Sequence, residues 1–253
     1  MPIINKAHIL DTKKGFPLVL IHGFLGSNDL WKYQIKAFRK NFRVIAIELP
    51  GYGKNYKLKP LQSISAFANY VLQILKQLKI KEFYLIGHSM GGMIAQEIAI
   101  KNKNLKKVVL HATGPQGEMP ERFETLKVSR QKLKKNGIKK QGHFIASTWF
   151  VKGSKHQNFK ICKNSYEKVK LKTADYSMLA MQKWDGRKNL KKIKTPTLIT
   201  WGDKDKSYGR PQVMKLKKNI KKSKLKVFKN CAHNVHLENV NDFNRSVMSF
   251  LNY

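Results

Sequence analysis

The chain has 253 residues, of which 42% are hydrophobic, so it can bury one large core and its composition excludes a disordered chain. Its net charge is +36, but only seven of the 51 basic residues are Arg, and the lysines lie in nearly every predicted surface segment. Because nucleic-acid readers concentrate Arg on one face, this spread favours a compositional bias over a specific nucleic-acid partner. It leaves only weak, salt-sensitive adsorption to polyanions.

The first twelve residues contain no apolar stretch of signal-peptide length, and the longest apolar run, residues 17–21, is too short to cross a bilayer. Cys162 and Cys231 form no metal-binding pattern, so we expect two free, buried thiols. We therefore expect a cytoplasmic protein without a membrane span, either a monomer or a homodimer.

Short apolar runs rich in Val, Ile and Leu predict strands that are buried on both faces of a parallel sheet. The runs lie at residues 18–21, 42–49, 82–86, 107–111, 197–201 and 225–228. Between them, apolar residues at three- and four-residue spacing predict helices at 31–40, 64–78 and 93–102. This alternation predicts βαβ crossovers and a three-layer α/β fold.

The sequence His-Gly-Phe-Leu-Gly at 22–26 directly follows the first of these predicted strands. A histidine-glycine turn is common by itself, so it indicates function only because it lies at the tip of a strand. There the backbone N–H of Phe24 becomes a candidate donor to a negatively charged oxygen.

The sequence Gly-His-Ser-Met-Gly at 87–91 lies between a predicted strand and a predicted helix, which is the context that gives the GxSxG pattern its meaning. The sharp turn needs glycine at both ends, because a Cβ there collides with neighbouring backbone. The turn predicts Ser89 as a nucleophile at a helix N-terminus, with the N–H groups of Met90 and Phe24 as the oxyanion hole. The alternative is a glycine-rich turn with an incidental serine.

The strand and helix alternation breaks between residues 115 and 188, where the chain is helix-like and rich in lysine. We interpret this segment as a helical insertion into a core formed by residues 1–114 and 189–253; the alternative is further helices of the same layer. Four large apolar residues of the insertion are candidates for the lining of a substrate pocket, or else form the core of the insertion. They are Trp149, Phe150, Met181 and Trp184.

Two later strand ends carry an acid and a base. Asp205 lies further past its strand than Asp203, so it is the better candidate to orient a histidine, whereas Asp203 is better placed for a local turn bond. His233 follows the last predicted strand and suits proton abstraction near neutral pH. Its rival, His236, is expected to begin the final helix and to have a packing or capping role.

The order of Ser89, Asp205 and His233 along the chain is the nucleophile, acid and base order that accompanies a GxSxG turn. The remaining strand-end histidines are expected to be hydrogen-bonded structural groups. They are His22, His88 and His111.

Five segments together give the chain a family resemblance: HGFLG at 22–26, ELPGYG at 48–53, GHSMGG at 87–92, WGDKD at 201–205 and CAHNVHLEN at 231–239. From about Leu18 to the C-terminus it resembles the α/β-hydrolase superfamily, and the insertion looks like the helical cap of that family. Glu48, where many relatives have Asp, is expected to affect loop anchoring only.

The resemblance implies a capped serine hydrolase that cleaves an ester or lactone of a small molecule without a cofactor or a metal. A carbon–carbon hydrolase acting on a vinylogous diketone is the alternative within enzymes. A non-catalytic receptor on the same fold is the alternative outside them. The insertion carries no motif that identifies the substrate.

Overall fold

The structure is a computed structural model that describes residues 7–252, so the predicted outer limits of the core at residues 1 and 253 lie outside the described residues. The described part of the chain forms one seven-stranded sheet. Its strands are β1 Ile9–Asp11, β2 Phe16–Ile21, β3 Phe42–Ile47, β4 Phe83–His88, β5 Leu105–His111, β6 Thr197–Gly202 and β7 Ser223–Phe228.

Helices cover both faces of this sheet and form the insertion. They are α1 Lys32–Phe38, α2 Ile64–Gln77, α3 Met90–Lys101, α4 Leu126–Ser147, α5 Phe159–Tyr166, α6 Leu171–Lys183, α7 Arg210–Asn219, α8 Val235–Glu238 and α9 Val240–Asn252. Within residues 7–252, none of the helices combines the length and apolar character that crossing a bilayer requires.

Successive side chains of a strand point to opposite faces of a sheet. Each face of this sheet therefore packs against its own hydrophobic cluster. Leu18 and Leu20 of β2 pack in one cluster with residues of α1 and α9. Val19 and Ile21 pack in the other cluster, with residues of α2, α3 and α7. This arrangement confirms the predicted three-layer α/β fold.

The strand order is β1-β3-β2-β4-β5-β6-β7, and β1 alone runs antiparallel to its neighbour. The sequence analysis did not predict β1, because this strand is three residues long and only partly buried, so it lacks an apolar run. Its pairing with β3 is reinforced by an ion pair of 2.7 Å between Arg43 and Asp11.

The strand order also determines where loops can form a crevice. Since β2 lies between β3 and β4, the chain leaves β2 in one direction and later continues in the other, which is the topological switch point of an open α/β sheet. Ile21 is paired with Gly87 at this point. The loop at 22–26 and the turn at 87–91 therefore start from the same edge of the sheet.

The helical insertion, α4 to α6, leaves the core after β5 and returns before β6. Its two ends run antiparallel and are bonded to each other, with Gly117 N donating to Trp184 O at 3.0 Å and Gly186 N donating to Pro115 O at 2.8 Å. This pairing supports the division at residues 115 and 188, which we retain as a proposal.

The glycines of the turn at 87–91 generate a prediction on stability. A Cβ at Gly87 would overlap the backbone carbonyl of Gly91, so Gly87→Ala should lower the free energy of unfolding by more than about 3 kcal/mol or prevent folding. Gly153→Ala in the insertion is the matched control. It meets only Ser147 O at 3.7 Å and should cost about 1 kcal/mol for its left-handed backbone. Urea unfolding of both variants measures the difference, and equal costs would contradict the steric explanation.

Candidate active site

Ser89 occupies a strained turn between β4 and α3. Its backbone has φ 57° and ψ −117°, a conformation that an L-residue keeps only when its surroundings hold it. Ser89 N donates to His111 O at 2.9 Å, and Ser89 O accepts from Gly92 N and from Thr113 Oγ1, both at 2.8 Å. Because Ser89 is itself the N-cap of α3, the helix begins three residues earlier than the sequence predicted.

The loop at 22–26 lies directly against this turn. A Cβ on Gly23 would be 2.9 Å from the Cβ of Ser89, so glycine is needed for the close approach. Leu49 N donates to His22 Nε2 at 3.1 Å, which means that His22 Nδ1 carries the proton and donates to Gly23 O at 2.9 Å. Burial lowers the pKa of His22. The prediction of a hydrogen-bonded structural histidine at this position is therefore confirmed.

Two backbone N–H groups beside the turn that carries Ser89 form no hydrogen bond within the described residues. Neither the Phe24 nor the Met90 amide has a hydrogen-bond acceptor among residues 7–252. Phe24 lies on the loop that contacts Ser89, and Met90 is the first residue of α3, where the helix dipole favours negative charge. These are the two residues that the sequence analysis selected as oxyanion donors.

Glu48 anchors the neighbouring loops, as predicted. Its Oε1 accepts a hydrogen bond of 2.7 Å from Asn28 N, and its Oε2 accepts one from Lys54 N. The carboxylate thus joins the segments that follow β2 and β3 beneath the loop at 22–26.

Asp205 and His233 form a buried hydrogen bond, with 2.9 Å between His233 Nδ1 and Asp205 Oδ2. A carboxylate only accepts, so Nδ1 carries the proton and the lone pair of Nε2 is left for another partner. Asp205 Oδ1 accepts from Ser207 N at 2.7 Å and from Tyr208 N at 3.2 Å. These bonds hold the carboxylate in one orientation toward the imidazole.

The two alternative candidates, Asp203 and His236, take no part in this hydrogen bond. The turn bond expected of the Asp203 side chain does not form through Oδ1, since this buried atom has no partner among the described residues. The backbone N–H of Asp203 donates to Phe228 O at 3.1 Å. His236 lies in α8 and is fully buried. Its Nδ1 is 2.9 Å from His111 Nε2, and its ring packs on Trp31, so it is a packing residue.

Three buried histidines, His88, His111 and His236, form a cluster beneath the Ser89 turn. Burial lowers the pKa of each ring well below its usual value, and the neighbouring imidazoles add to the effect. His111 Nδ1 also lies 3.0 Å from Thr200 Oγ1, which confirms a hydrogen-bonded role. For His88 we also expect a hydrogen-bonded structural role. Its ring packs on the His111 and His236 rings. The backbone of His233 raises its pKa against the larger effect of burial, although no partner lies at close hydrogen-bond distance among the described residues.

This cluster is also where the described residues could hold a metal, since one ring nitrogen from each histidine lies within 4.8 Å of the other two. The shortest separation, 2.9 Å between His111 and His236, is that of a hydrogen bond. Two nitrogen ligands on tetrahedral zinc lie roughly 3.3 Å apart. A metal would therefore have to break the existing bond between these rings.

Ser89 and His233 line one small cavity of about 30 Å³ between the sheet and the insertion. The Tyr208 ring stacks on His233 at 5.7 Å between centroids, and the Trp149 ring lies on it at 6.0 Å. Burial raises the pKa of Tyr208 to about 12, which the neighbouring Ser89 side chain opposes. The base is thus surrounded by aromatic groups on the side of the cavity.

The structure separates the four predicted lining residues into two pairs. Trp149 and Met181 lie on the cavity wall. Phe150 does not, because its ring is turned away to stack on His156 at 4.7 Å. Trp184 also lies away from this cavity, because its Nε1 donates to Glu97 Oε1 at 3.1 Å.

Sequence reasoning missed three polar residues of the same cavity: Arg122, Ser207 and Tyr208. Ser207 and Tyr208 follow Asp205 so closely that the position of the acid was an available signal for them. Arg122 had no such signal, because it lies in an irregular segment between β5 and α4.

The loop that carries His233 is bonded to the insertion. Asn234 N donates to Trp149 O at 3.0 Å. Glu238 accepts from Val151 N at 2.7 Å and from Ala232 N at 2.6 Å. Both cysteines are buried and free, as predicted, and Asn234 Nδ2 donates to Cys162 Sγ at 3.2 Å.

A larger cavity of about 640 Å³ lies near β1 and α1. Its wall includes Lys32, Glu48 and Tyr56, but neither Ser89 nor His233. Volume alone does not define an active site, so we take the cavity that contains Ser89 and His233 as the candidate site.

The chain belongs to the α/β hydrolase fold family, whose model matches residues 17–240, and this confirms the resemblance seen in the motifs. It is similar to the AB hydrolase superfamily protein YisY of Bacillus subtilis, with 26% identity over 96% of this chain and 94% of that protein. It is also similar to the (E)-2-((N-methylformamido)methylene)succinate hydrolase of Acinetobacter baylyi, with 25% identity over 97% and 94%. The enol-lactonase of Burkholderia xenovorans shares the fold, with a TM-score of 0.89 and 20% identity over 98% of this chain and 96% of that one. The protein is a hydrolase of the α/β family.

The buried histidines predict a loss of stability in mild acid. Because the pKa values of His88, His111 and His236 are lowered in the folded state, the unfolded chain binds more protons below about pH 6.5. The free energy of unfolding should therefore be greatest above about pH 7. It should fall below pH 6.5 by up to roughly 1.4 kcal/mol per pH unit for each histidine that stays neutral.

Urea unfolding between pH 5.5 and 7.5 measures this dependence. His111→Gln should make it shallower, and His143→Gln, which removes an exposed histidine of the insertion, is the matched control. An unchanged slope in His111→Gln would contradict the assignment.

Proposed function

We propose that this protein is a serine hydrolase that cleaves a carboxylic ester or a lactone of a small molecule through an acyl-enzyme on Ser89. One observation carries the proposal: Ser89 and His233 line the same cavity, and Asp205 holds His233 in the tautomer that leaves Nε2 able to accept a proton. The strained turn and the two free amides of Phe24 and Met90 support it.

In the first step, His233 Nε2 removes the proton of the Ser89 hydroxyl while Oγ attacks the substrate carbonyl. The tetrahedral oxyanion is bound by the backbone N–H groups of Phe24 and Met90. The positive charge on the His233 ring forms next to the Asp205 carboxylate, which stabilises it. His233 then gives the proton to the leaving oxygen as the carbon–oxygen bond breaks, and the acyl group remains on Ser89.

In the second step, His233 takes a proton from water, and the resulting hydroxide attacks the acyl-enzyme. A second tetrahedral oxyanion binds to the same two amides. When it collapses, Ser89 Oγ leaves, recovers the proton from His233, and the carboxylic acid product is released.

Substrate binding requires displacement of the cavity wall. A cavity of about 30 Å³ is far smaller than the roughly 300–1,000 Å³ of typical ligand pockets, so an ester needs more room than this state offers. Met119 and Met181 belong to this wall, and their unbranched side chains change rotamer readily. We propose that movement of these residues with the insertion opens the site.

We retain two further proposals from the sequence. The partner is a small molecule and not a specific nucleic acid, which the dispersed lysines support. The location is cytoplasmic, which the two free thiols support.

Ser89→Ala should remove the nucleophile while leaving the fold intact, because alanine fits wherever serine does. Hydrolysis of 4-nitrophenyl acetate should fall by at least roughly 10³-fold, measured as kcat/KM. Wild-type protein should also be labelled by a fluorophosphonate, and the variant should not. Equal labelling and turnover in the two proteins would refute the assignment of Ser89.

Asp205→Asn tests whether Asp205, and not Asp203, orients His233. The asparagine keeps an oxygen for the Ser207 and Tyr208 amides but presents an NH₂ group to His233, so the imidazole takes the wrong tautomer. We expect kcat to fall by roughly 10³- to 10⁴-fold. Asp203→Asn is the matched control and should change kcat by less than about tenfold. If Asp203→Asn lowers kcat more than Asp205→Asn does, Asp203 is the residue that orients His233.

A further inference from the structure

Arg122 places a guanidinium group on the wall of the cavity that contains Ser89 and His233. The residue is partly buried and follows Met119 and Pro120 in the segment between β5 and α4. Burial lowers its pKa, but an arginine keeps its charge at any pH at which the protein folds. A cation therefore lies on the wall of the same cavity as Ser89, in a partly buried position.

The hydrogen bonds of Arg122 leave most of its donors unused. Nη1 donates to the backbone carbonyl of Glu124 and to Ser129 Oγ at 3.0 Å, and the guanidinium lies over the Phe123 ring at 4.2 Å. Nε and Nη2 have no acceptor among residues 7–252. These two groups form the fork with which arginine binds a carboxylate.

Most of the acidic groups around Arg122 are bound to other residues, and the exception, Glu118, is exposed and forms no ion pair with Arg122. Glu124 is bonded to Lys132 at 2.6 Å and to Gln141 at 3.0 Å. Glu121 accepts from Gln212, and Asp205 binds His233. Within the described residues, Arg122 consequently forms no ion pair.

Other partly buried arginines of this chain do have a carboxylate. Arg43 pairs with Asp11 at 2.7 Å, and Arg130 pairs with Asp175 at 2.9 Å. An unpaired charge removed from water is costly, and the cost is relieved when an anion arrives. Arg122 thus has the character of a residue whose counter-ion is a ligand.

We propose that Arg122 binds a carboxylate of the substrate, so that the protein hydrolyses esters or lactones that carry a free carboxylate group. This inference rests on the proposed function, because it concerns the substrate of the same cavity. The lysines of the surface do not replace Arg122 in this role, since the cavity wall among the described residues contains no lysine. Surface charges are also screened by salt, whereas a partly enclosed guanidinium is screened much less.

Two pairs of esters test the proposal, each comparing a carboxylate with its neutral amide. In the first pair the group lies on the acyl half, as in the mono-4-nitrophenyl ester of glutaric acid and the corresponding ester of glutaric monoamide. In the second it lies on the alcohol half, as in 4-acetoxybenzoate and 4-acetoxybenzamide. The measured quantity is the ratio of kcat/KM for acid to that for amide, at about 0.15 M salt.

We expect the wild-type ratio to exceed ten for at least one pair. Arg122→Gln should lower that ratio by roughly 10- to 100-fold, the effect of one charge-assisted interaction, mainly through KM. Lys127→Gln is the matched control, because it removes one positive charge from an exposed position of the same region. Its ratio should equal that of the wild type. An unchanged ratio in Arg122→Gln, or an equal fall in Lys127→Gln, would overturn the proposal.

A binding measurement separates this inference from the proposed function. Calorimetry with mono-4-nitrophenyl glutarate and 4-acetoxybenzoate on Ser89→Ala should show a Kd that rises at least tenfold when Arg122→Gln is added. If both Kd values are unchanged, the Arg122 proposal fails even when Ser89→Ala abolishes turnover. If Ser89→Ala retains wild-type turnover while the Kd rises, the proposed function fails and the carboxylate site stands.

Discussion

The close approach of three backbone segments at Ser89 is the constraint on which the rest of the site depends. A Cβ at Gly87 would overlap the backbone of α3, and one at Gly91 would overlap the backbone at the end of β2. Only glycine permits this packing, and the packing holds Ser89 in its strained conformation. Because β2 and β4 are neighbours, the same approach brings the loop at 22–26 against the nucleophile.

The side of the site that carries His233 is held by the insertion as well as by the core. Ser89 is held by bonds to the C-terminal end of β5, to the residue Thr113 just after it and to its own helix, all within the core. His233 is oriented by Asp205 of the core, but its loop is also bonded to Trp149 and Val151 of the insertion. If the insertion moves to admit a substrate, as we propose, the movement acts on the segment of His233 and leaves Ser89 in place.

The charges around the site are few, although the chain as a whole is strongly basic. The histidines beneath the turn are kept neutral by burial, so they do not compete with His233 for a positive charge. The described cavity wall adds the unpaired cation of Arg122. In the proposed mechanism, Asp205 lies beside the ring that becomes positively charged, and in the proposed substrate complex Arg122 binds a negative group.

The sequence by itself determined the sheet, its parallel direction and the turn at 87–91, because buried apolar runs, helical spacing and paired glycines are local patterns. Chain order also selected Ser89, Asp205 and His233, which the structure brings to one edge of the sheet. Only the tertiary structure decided that β1 joins that sheet, that Trp149 faces the cavity while Phe150 turns away, and that Arg122 lies beside the nucleophile. These features depend on how an irregular segment and the three helices of the insertion pack against the core. Side-chain direction in such segments is fixed by contacts between residues distant in the chain.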